Sequence, residues 1–262
     1  MARARGTRTL AIDVGGTGLK AAVLDAAGRM VTERAWIATP YPCRPDILLR
    51  ALADLTRDLP ASDRISIGFP GVVRAGRTVT APHFDAEAWR DFPLQAALSQ
   101  QFGKPARLLN DAEVQGLGLI GGRGLELVLT LGTGVGSAIF SSGRLTPHLE
   151  LAHHPIHKNA TYNDYVGKRA RAALSAKKWN RRVLKLVETV YGLLHYDTLH
   201  IGGGNAAHLR IKLPDNVRIA SNDAGITGGI HLWDDAVWRS AQERDARPPP
   251  RRRGRLGPKR LP

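Results

Sequence analysis

The sequence predicts an α/β protein with two lobes. Strand and helix patterns alternate along the first half of its 262 residues, and a strand, glycine turn, strand unit occurs at about residues 10–25 and again at 126–145. The length suits one large domain or two of ordinary size. We therefore expect two related α/β lobes with a cleft between them, over residues 9–112 and 113–243, with the last helix free to pack back on the first lobe.

The first lobe is predicted to begin with antiparallel strands. LAIDVG and KAAVLD are joined by a glycine turn, and MVTERAWIAT continues the antiparallel pattern. DILLRALADLTRDL has the apolar spacing of a helix, while RISIGFPG and PARLLND are typical of short buried strands separated by the helical LQAALSQQFG. The order of these patterns indicates three antiparallel strands followed by α/β crossovers.

The second lobe repeats this order after a helix around Glu113–Leu119. LELVLTLGTGVGSAIFSSGRL is again strand, glycine turn and strand, and KRARAALSAKKWNRRVLKLVETVYGLLHY is strongly helical. TLHIGGGNAAHL predicts a strand that runs into glycines and a helix start. A short strand, a glycine-containing turn and a final helix are expected in RIASNDAGITGGIHLWDDAVW.

The net charge of +15 is concentrated at the two ends of the chain. Residues 1–8 contain three arginines, and residues 244–262 contain eight Lys or Arg against one Asp, which leaves +5 for the rest. Neither end has apolar periodicity, so we expect a disordered basic N-terminus over 1–8 and a disordered basic tail over 244–262. The charge therefore predicts no specific nucleic-acid partner, although weak adhesion to polyanions is open.

Apolar residues make up 43% of the chain and are spread along it, without a run of the ~18 residues that a membrane helix needs. The N-terminus enters a strand directly and lacks the apolar region of a secretory signal. We expect a soluble, cytoplasmic protein with no membrane partner. The single cysteine, Cys43, can form neither an internal disulfide nor a cysteine-rich zinc site.

The two glycine turns carry the clearest chemical signal. Glycines between strands let the backbone approach an anion, because no side chain occupies the space and the N–H groups can point at phosphate oxygens. Two such hairpins that face each other across a cleft could hold a phosphate chain from both sides. The chain has no GxxxxGK[ST] motif, and IGGGNA lacks the GxGxxG spacing of a dinucleotide site.

The motifs, taken in order, resemble those of the ROK family of sugar kinases, in the polyphosphate glucokinase branch. IDVGGT and LGTGVGSA are similar to the two phosphate motifs, IGGGN to the adenosine motif, SIGFPGVV and LLNDAEVQGLG to the sugar-side segments, and LELAHH to the Glu-Leu-Gly-His signature. The spacing GGTGLK before Lys20 and the missing CxCGxxGC segment are similar to that branch. The resemblance implies a ribonuclease H-like, actin-like ATPase fold of the hexokinase type.

The resemblance also implies roles for individual residues. Asp111 would be the catalytic base. The sugar would be bound by Gly71, His83, Asn110, Asp111, Glu150 and His153. The phosphate donor would be bound by Asp13, Gly15, Gly16, Thr17, Lys20, Gly132, Thr133, Gly134, Gly202, Gly203 and Gly204. Asp13 would also hold Mg²⁺, and the enzyme would be a homodimer.

The residues by themselves leave simpler interpretations open. Asn110 and Asp111 could be only a strand-ending turn and a helix N-cap. Gly202–Gly204 could be a tight turn between a strand and a helix. His148, His153, His154 and His157 lack the spacing of a zinc site, so we predict no zinc.

The predicted function is transfer of a terminal phosphoryl group from polyphosphate, ATP or both to the 6-hydroxyl of glucose or a related hexose. A non-catalytic sugar-binding or polyanion-binding relative is the alternative, whereas a repressor of the same family would need a helix-turn-helix for which eight residues leave no room. Between Lys168 and Lys185 lie eight basic residues and no acidic one. This run could be a solvated helix face or a track for polyphosphate.

Overall fold

The computed structural model describes residues 6–221 and 223–246. Within these ranges no helix is both long and apolar enough to cross a membrane. The strands of the first half are β1 (Thr9–Val14), β2 (Gly18–Leu24), β3 (Ala35–Ala38), β4 (Arg64–Phe69), β5 (Val73–Arg74), β6 (Arg77–Thr78) and β7 (Ala106–Asn110). The helices of this half are α1 (Pro45–Thr56), α2 (Leu94–Phe102) and α3 (Asp111–Leu117).

The first sheet has the strand order β3-β2-β1-β4-β7. β1, β2 and β3 are antiparallel neighbours, and β4 and β7 add parallel strands after helical crossovers. This is the predicted order of three antiparallel strands followed by α/β units. Helix α2 ends at Gly103, as its sequence predicted, because this glycine adopts the left-handed conformation with φ of 61° that favours a residue without a side chain.

The second half contains the strands β8 (Leu125–Leu131), β9 (Val135–Ser141), β10 (Arg144–Leu145), β11 (Pro155–His157), β12 (Ala160–Thr161), β13 (Thr198–Gly202) and β14 (Val217–Ile219). Its helices are α4 (Tyr162–Val166), α5 (Lys168–Ala173), α6 (Ala176–Leu194), α7 (Ala224–Thr227) and α8 (Asp235–Asp245), with short 3₁₀ turns at Gly204–His208 and Gly228–Trp233.

The second sheet repeats the topology of the first. Its order is β10-β9-β8-β13-β14, again three antiparallel strands followed by two parallel ones. The two glycine hairpins, β1–β2 and β8–β9, therefore occupy equivalent places in the two sheets. This confirms the internal repeat that the sequence predicted.

Helix α3 lies between the sheets and carries Asp111 at its first position. It packs against β4 and β7 of the first sheet and against β8 and β9 of the second. Each sheet has its own buried core beyond this helix, and Trp89 and Trp179 are fully buried in the first and second core, respectively. The N-terminus of α3 is thereby fixed at the junction of the lobes.

The chain returns to the first sheet after β14. Ile226 and Ile230 pack against Ala11 and Leu24, and the Ser66 hydroxyl donates to the carbonyl of Gly229 at 2.6 Å. The segment 224–233 therefore covers the face of the first sheet opposite to its main core.

Two regions differ from the sequence prediction. The predicted helix over 168–196 is divided into α5 and α6, because Leu174 is extended and the Ser175 side chain accepts from the Lys178 N–H as an N-cap. The short hairpins β5–β6 and β11–β12 were not predicted, since two-residue and three-residue strands leave too little alternation to detect.

Residues 244 and 245, which the sequence analysis assigned to the C-terminal tail, lie in the last helix. Helix α8 continues to Asp245, and Arg244 pairs with Glu113 at 2.5 Å with only 8% and 3% of their side chains exposed. Arg244 belongs to the folded part because it supplies the charge partner of a buried glutamate. At the other end, the Arg8 N–H donates to Asp63 at 2.6 Å; residues 1–5 and 247–262 lie outside the described ranges.

Two truncations test this boundary. Ending the chain after Glu243 removes Arg244 and should lower the free energy of unfolding by about 3 kcal/mol, since loss of one partner leaves a buried charge without its pair. Ending it after Ala246 keeps the pair and should leave stability near that of the full chain. Urea unfolding measures the stability of both truncated chains. Equal stabilities of the two would show that the folded part needs no residue beyond Glu243.

Candidate active site

A cleft of ≈ 410 Å³ lies between the two lobes. The two glycine hairpins and the start of α3 form its walls, together with part of the segment that follows β10. The predicted site residues that line it are Asp13, Gly15, Gly16, Thr17, Lys20, His83, Asp111, Gly132, Thr133, Gly134, Glu150, Gly203 and Gly204. The fold thus brings together residues that are up to about 190 positions apart in the sequence.

The tips of the two hairpins meet across this cleft. The hydroxyls of Thr17 and Thr133 are 2.9 Å apart and share a hydrogen bond. The turn of the first hairpin is closed by the Gly15 N–H, which donates to the Gly18 carbonyl at 3.1 Å, and a Cβ at Gly15 would lie 2.8 Å from that oxygen. This turn therefore requires glycine at position 15.

Asp13 and Lys20 face each other within the first hairpin. They are partners in the antiparallel register of β1 and β2, and Lys20 Nζ lies 2.7 Å from Asp13 Oδ2. Their side chains are 16% and 31% exposed, so the pair is largely desolvated but open to the cleft. A carboxylate can lie in this apolar strand because its charge is paired and directed toward the cleft.

Asp111 combines burial with neighbouring negative charge. It follows β7 directly and begins α3, where its Oδ1 accepts from the Ala112 N–H at 2.9 Å. Burial and the charges of Asp13 and Glu150 raise the pKa of Asp111 to about 7, outweighing the opposite effects of the Ala112 N–H and His148. A carboxyl with this pKa can exchange a proton near neutral pH.

Glu150 and His83 lie on the side of the cleft predicted to hold the sugar. Burial acts to raise the pKa of Glu150, but the nearby His148 imidazolium and the N–H of Ala152, which donates to Glu150 Oε1 at 3.2 Å, outweigh it, and the pKa lies below its usual range. For His83, burial and the charge of His153 lower the pKa against the effect of Glu150. At neutral pH this side therefore offers a charged acceptor and a neutral imidazole.

Four predicted residues are not among those that line the cleft. Asn110 caps α3: its Oδ1 accepts from the Ala112 N–H at 2.9 Å and from the Glu113 N–H at 3.4 Å. Its Nδ2 donates to the Gly71 carbonyl at 3.0 Å, so Gly71 supports the cap. The simpler interpretation of Asn110 as an N-cap therefore describes its contacts.

The other two residues lie beside the cleft. Gly202 makes room for Gln115, whose Nε2 would be 2.8 Å from a Cβ at position 202. His153 is exposed in a turn, although its charge acts on His83 and Glu150.

Several lining residues were missed by the sequence analysis. They are Arg34, Gln115, Thr130, Asn163, Asn205 and Gly225, with backbone and apolar neighbours, while Lys168 belongs to the basic run already noted. Asn205 was within the quoted IGGGN motif, and its Nδ2 donates to the Gly132 carbonyl at 3.0 Å. Asn163 accepts from the Val135 N–H at 2.7 Å and so anchors the second hairpin. Arg34 had no local signal, because its partner Asp223 lies far along the chain.

The donor set of the cleft fits Mg²⁺. Among the described residues, no group of three or more His, Cys, Asp or Glu could enclose a metal ion. Mg²⁺ does not need such a cage, since it usually binds one or two carboxylates, substrate phosphates and water. Asp13 and Asp111 both line the cleft, and the charge of Asp13 raises the pKa of Asp111. A bound cation would relieve this repulsion.

Sequence comparison places these motifs among known proteins. Residues 9–160 match the ROK family. The chain is 28% identical over 242 residues to a polyphosphate glucokinase of Mycobacterium tuberculosis, with 83% of this chain and 88% of that protein covered. A polyphosphate glucokinase of Mycobacterium leprae is 27% identical over 237 residues, with 84% and 73% covered.

Solved structures agree with the sequence comparison. The inorganic polyphosphate/ATP-glucomannokinase from Arthrobacter sp. strain KM has a TM-score of 0.77 at 28% identity, covering 86% of this chain and 97% of that one. A ROK family glucokinase from Streptomyces griseus, in complex with glucose and AMPPNP, has a TM-score of 0.70 at 20% identity, covering 86% and 98%. The predicted two-lobed, actin-like fold of the hexokinase type is confirmed.

Proposed function

The chain belongs to the ROK family, as its motifs predicted, and from this premise we propose that it is a hexose kinase. It transfers a terminal phosphoryl group from ATP, polyphosphate or both to the 6-hydroxyl of glucose or a related hexose. The observation that carries this proposal is Asp111, a carboxyl with a pKa of about 7 at the junction of the lobes, in a cleft walled by two glycine hairpins.

Asp111 acts as the general base in this reaction. As the 6-hydroxyl oxygen attacks the terminal phosphorus, its proton passes to the Asp111 carboxylate, the new O–P bond forms and the bond to the leaving phosphate oxygen breaks. The leaving group is ADP or a polyphosphate shorter by one unit. Glu150 and His83 hold other hydroxyls of the sugar and fix its 6-hydroxyl toward Asp111.

The hairpins hold the donor. Backbone N–H groups at the tips of the two turns, at Gly16 and Gly134, and the Lys20 ammonium stabilise the negative charge on the phosphoryl oxygens. Mg²⁺ bound at Asp13 and the donor oxygens would neutralise further charge. Since the sugar lies between the lobes, closure keeps water from competing as the acceptor.

The basic run Lys168–Lys185 bears on which phosphate donor the enzyme uses. Lys168 lines the cleft, and Lys177, Lys178 and Arg181 are exposed near the start of α6. Fewer basic side chains of the run are free than the sequence indicated. Arg171 stacks on Trp179, and Arg182 stacks on Tyr165 and donates to the Tyr165 carbonyl at 3.2 Å. A cleft lysine followed along the chain by further exposed basic residues favours a long polyanion as donor, because ATP is too short to contact them all.

One assay tests the proposed function. Glucose and mannose are each supplied with ATP and with long-chain polyphosphate at low salt, and production of the hexose 6-phosphate is measured by a coupled dehydrogenase. We expect turnover with at least one pair. Sugar binding by calorimetry without turnover for any pair would instead support the alternative, a non-catalytic sugar-binding relative.

Charge reversal tests the donor track. Lys177→Glu/Lys178→Glu should raise the polyphosphate KM at low salt about 10-fold, through lost counterion release, and leave the KM values of ATP and sugar unchanged. Glutamates there lie in the first turn of α6, where negative charge suits the helix. The polyphosphate KM of the unmodified enzyme should also rise steeply with salt.

Arg123→Glu/Arg144→Glu is the matched control for this variant. It changes the net charge equally, at the end of the β8–β9 hairpin opposite to Gly132–Gly134. An equal rise of the polyphosphate KM in the control would show an effect of net charge alone. No turnover with polyphosphate of any length, beside turnover with ATP, would exclude the track.

A further inference from the structure

Four charged side chains form a continuous chain from helix α8 to the cleft. Arg244 Nη1 lies 2.5 Å from Glu113 Oε1, His148 Nδ1 lies 3.1 Å from the same oxygen, and His148 Nε2 lies 3.6 Å from Glu150 Oε2. The side chains of Arg244, Glu113 and His148 are 8%, 3% and 9% exposed, and Glu150 is 35% exposed. Of the four, Glu150 lines the cleft, and the other three are not among the residues that line it.

Glu113 links this chain to the helix that carries Asp111. Its Oε2 accepts from the Asn110 N–H at 3.3 Å and completes the capping box of α3. Its Oε1 is hydrogen-bonded to Arg244 Nη1 and to His148 Nδ1. A change in Glu113 would therefore reach both Asp111 and Glu150. His148 acts on Glu150 more directly.

The outer ring nitrogen of His148 is poised toward Glu150. Within the described residues, Nε2 is buried and has no hydrogen-bond partner, and the Glu150 carboxylate is the acceptor in front of it. A buried N–H without an acceptor is unfavourable, so a small movement of Glu150 toward the ring would be favourable. The carboxylate therefore has one buried cationic neighbour that can fix its orientation.

We propose that His148 is a positioning residue that holds the Glu150 carboxylate in the orientation in which it binds the sugar, and that Glu113 and Arg244 keep His148 in place for this task. The proposal rests on the proposed function, because it assigns the sugar to the Glu150 side of the cleft. It makes helix α8, at the end of the described chain, part of the support of the sugar site.

The charges around His148 agree with this role. Burial acts to lower the pKa of His148, but the hydrogen bond to Glu113 and the nearby carboxylates of Glu113 and Glu150 outweigh it and raise the pKa to about 9. The other charges nearby are Asp111 on α3, which the His148 charge affects, and Arg244 of α8, held behind Glu113. An imidazolium there keeps Glu150 ionised, and an ionised carboxylate forms the stronger hydrogen bonds to sugar hydroxyls.

His148→Gln tests the proposal, because glutamine can still donate a hydrogen bond but has no charge. We expect the sugar KM to rise roughly 10-fold, the scale of weakening one hydrogen bond to a charged group, with little change in the donor KM. We also expect the pKa of Glu150 to rise toward its usual range. As the pH is lowered, both proteins should lose sugar affinity when Glu150 becomes protonated. The variant should lose it at a higher pH than the unmodified protein, which calorimetry without donor measures.

The pair of His200 and Glu126 supplies the matched control. It is also buried, with His200 Nε2 2.9 Å from Glu126 Oε2 and neither side chain lining the cleft. His200→Gln should lower Tm but leave the sugar affinity and its pH dependence unchanged. A sugar affinity within 2-fold of the unmodified protein for His148→Gln, or an equal rise of donor and sugar KM, would overturn the proposal.

A titration of the His148 ring by NMR needs no substrate. The ring should stay protonated well above pH 7 in the unmodified chain, and Glu150→Gln should lower its pKa. A ring that titrates near 6.5, the ordinary value for histidine, would overturn the proposal even if His148→Gln failed to fold. An unmodified protein that phosphorylates no hexose would instead count against the proposed function, whatever the ring shows.

Discussion

Asp111→Asn is expected to lower kcat by at least about 100-fold, the usual contribution of a general base. The amide cannot accept the proton of the 6-hydroxyl, whereas its similar size keeps the cleft filled. The sugar KM should change little, because Glu150 and His83 still hold the other hydroxyls. Steady-state kinetics of the phosphorylation assay gives both constants.

The pH dependence adds a second readout of Asp111. Its pKa is raised to about 7, so the carboxyl is protonated and inactive below that pH and ionised above it. Hence kcat/KM, which reports on the free enzyme, should rise with pH through about 7. The residual activity of Asp111→Asn should lack this rise.

Asp235→Asn is the control for the loss of a carboxylate at a helix start. Asp235 begins α8 directly after its N-cap, as Asp111 begins α3, but its side chain is 87% exposed and does not line the cleft. Both variants lose the same favourable interaction with a helix N-terminus. Activity near normal in both would remove Asp111 from the role of base.

The hairpins could be predicted from the sequence because their determinants are local. Asp13 and Lys20 are seven residues apart, and one glycine turn between two apolar runs is enough to place them opposite each other. The second hairpin repeats the pattern, so the relation between the sheets followed from the internal repeat. Local chemistry of this kind is readable before the chain is folded.

The support of the sugar site could not be predicted, because its partners are distant in the sequence. Glu113 meets His148 across 35 positions and Arg244 across 131. Arg244 also begins an Arg-rich and Pro-rich segment, whose composition gives no sign that this arginine pairs with a buried glutamate. No periodicity marks such pairs, since they depend on where α8 packs after folding.

Asn110 shows the limit of a short motif. The pattern Asn-Asp after a buried strand is compatible with substrate binding and with helix capping, and both uses place the residue at the same turn. In the structure the Asn110 side chain is engaged with backbone groups of α3 and Gly71, and its binding of the sugar stays a prediction. Its neighbour Asp111, one position later, lines the cleft.

Gly132→Ala should raise the donor KM about 10-fold or more and leave the sugar KM unchanged; a 10-fold change corresponds to about 1.4 kcal/mol of binding energy. A Cβ at Gly132 would have no atom within 4 Å, so the hairpin keeps its shape and the methyl group enters the open cleft. There it occupies the space in which the donor phosphates would approach the backbone.

Gly134→Ala is a less selective probe, although the sequence makes it an equal candidate. A Cβ at Gly134 would lie 2.6 Å from Asn163 Oδ1, the oxygen that accepts from the Val135 N–H. We therefore expect this variant to have a lower Tm as well as a weaker affinity for the donor. Gly192→Ala, also with no atom within 4 Å but on the exposed part of α6, should leave both KM values unchanged. If Gly132→Ala raised the sugar KM as much as the donor KM, the second hairpin would not be specific to the donor.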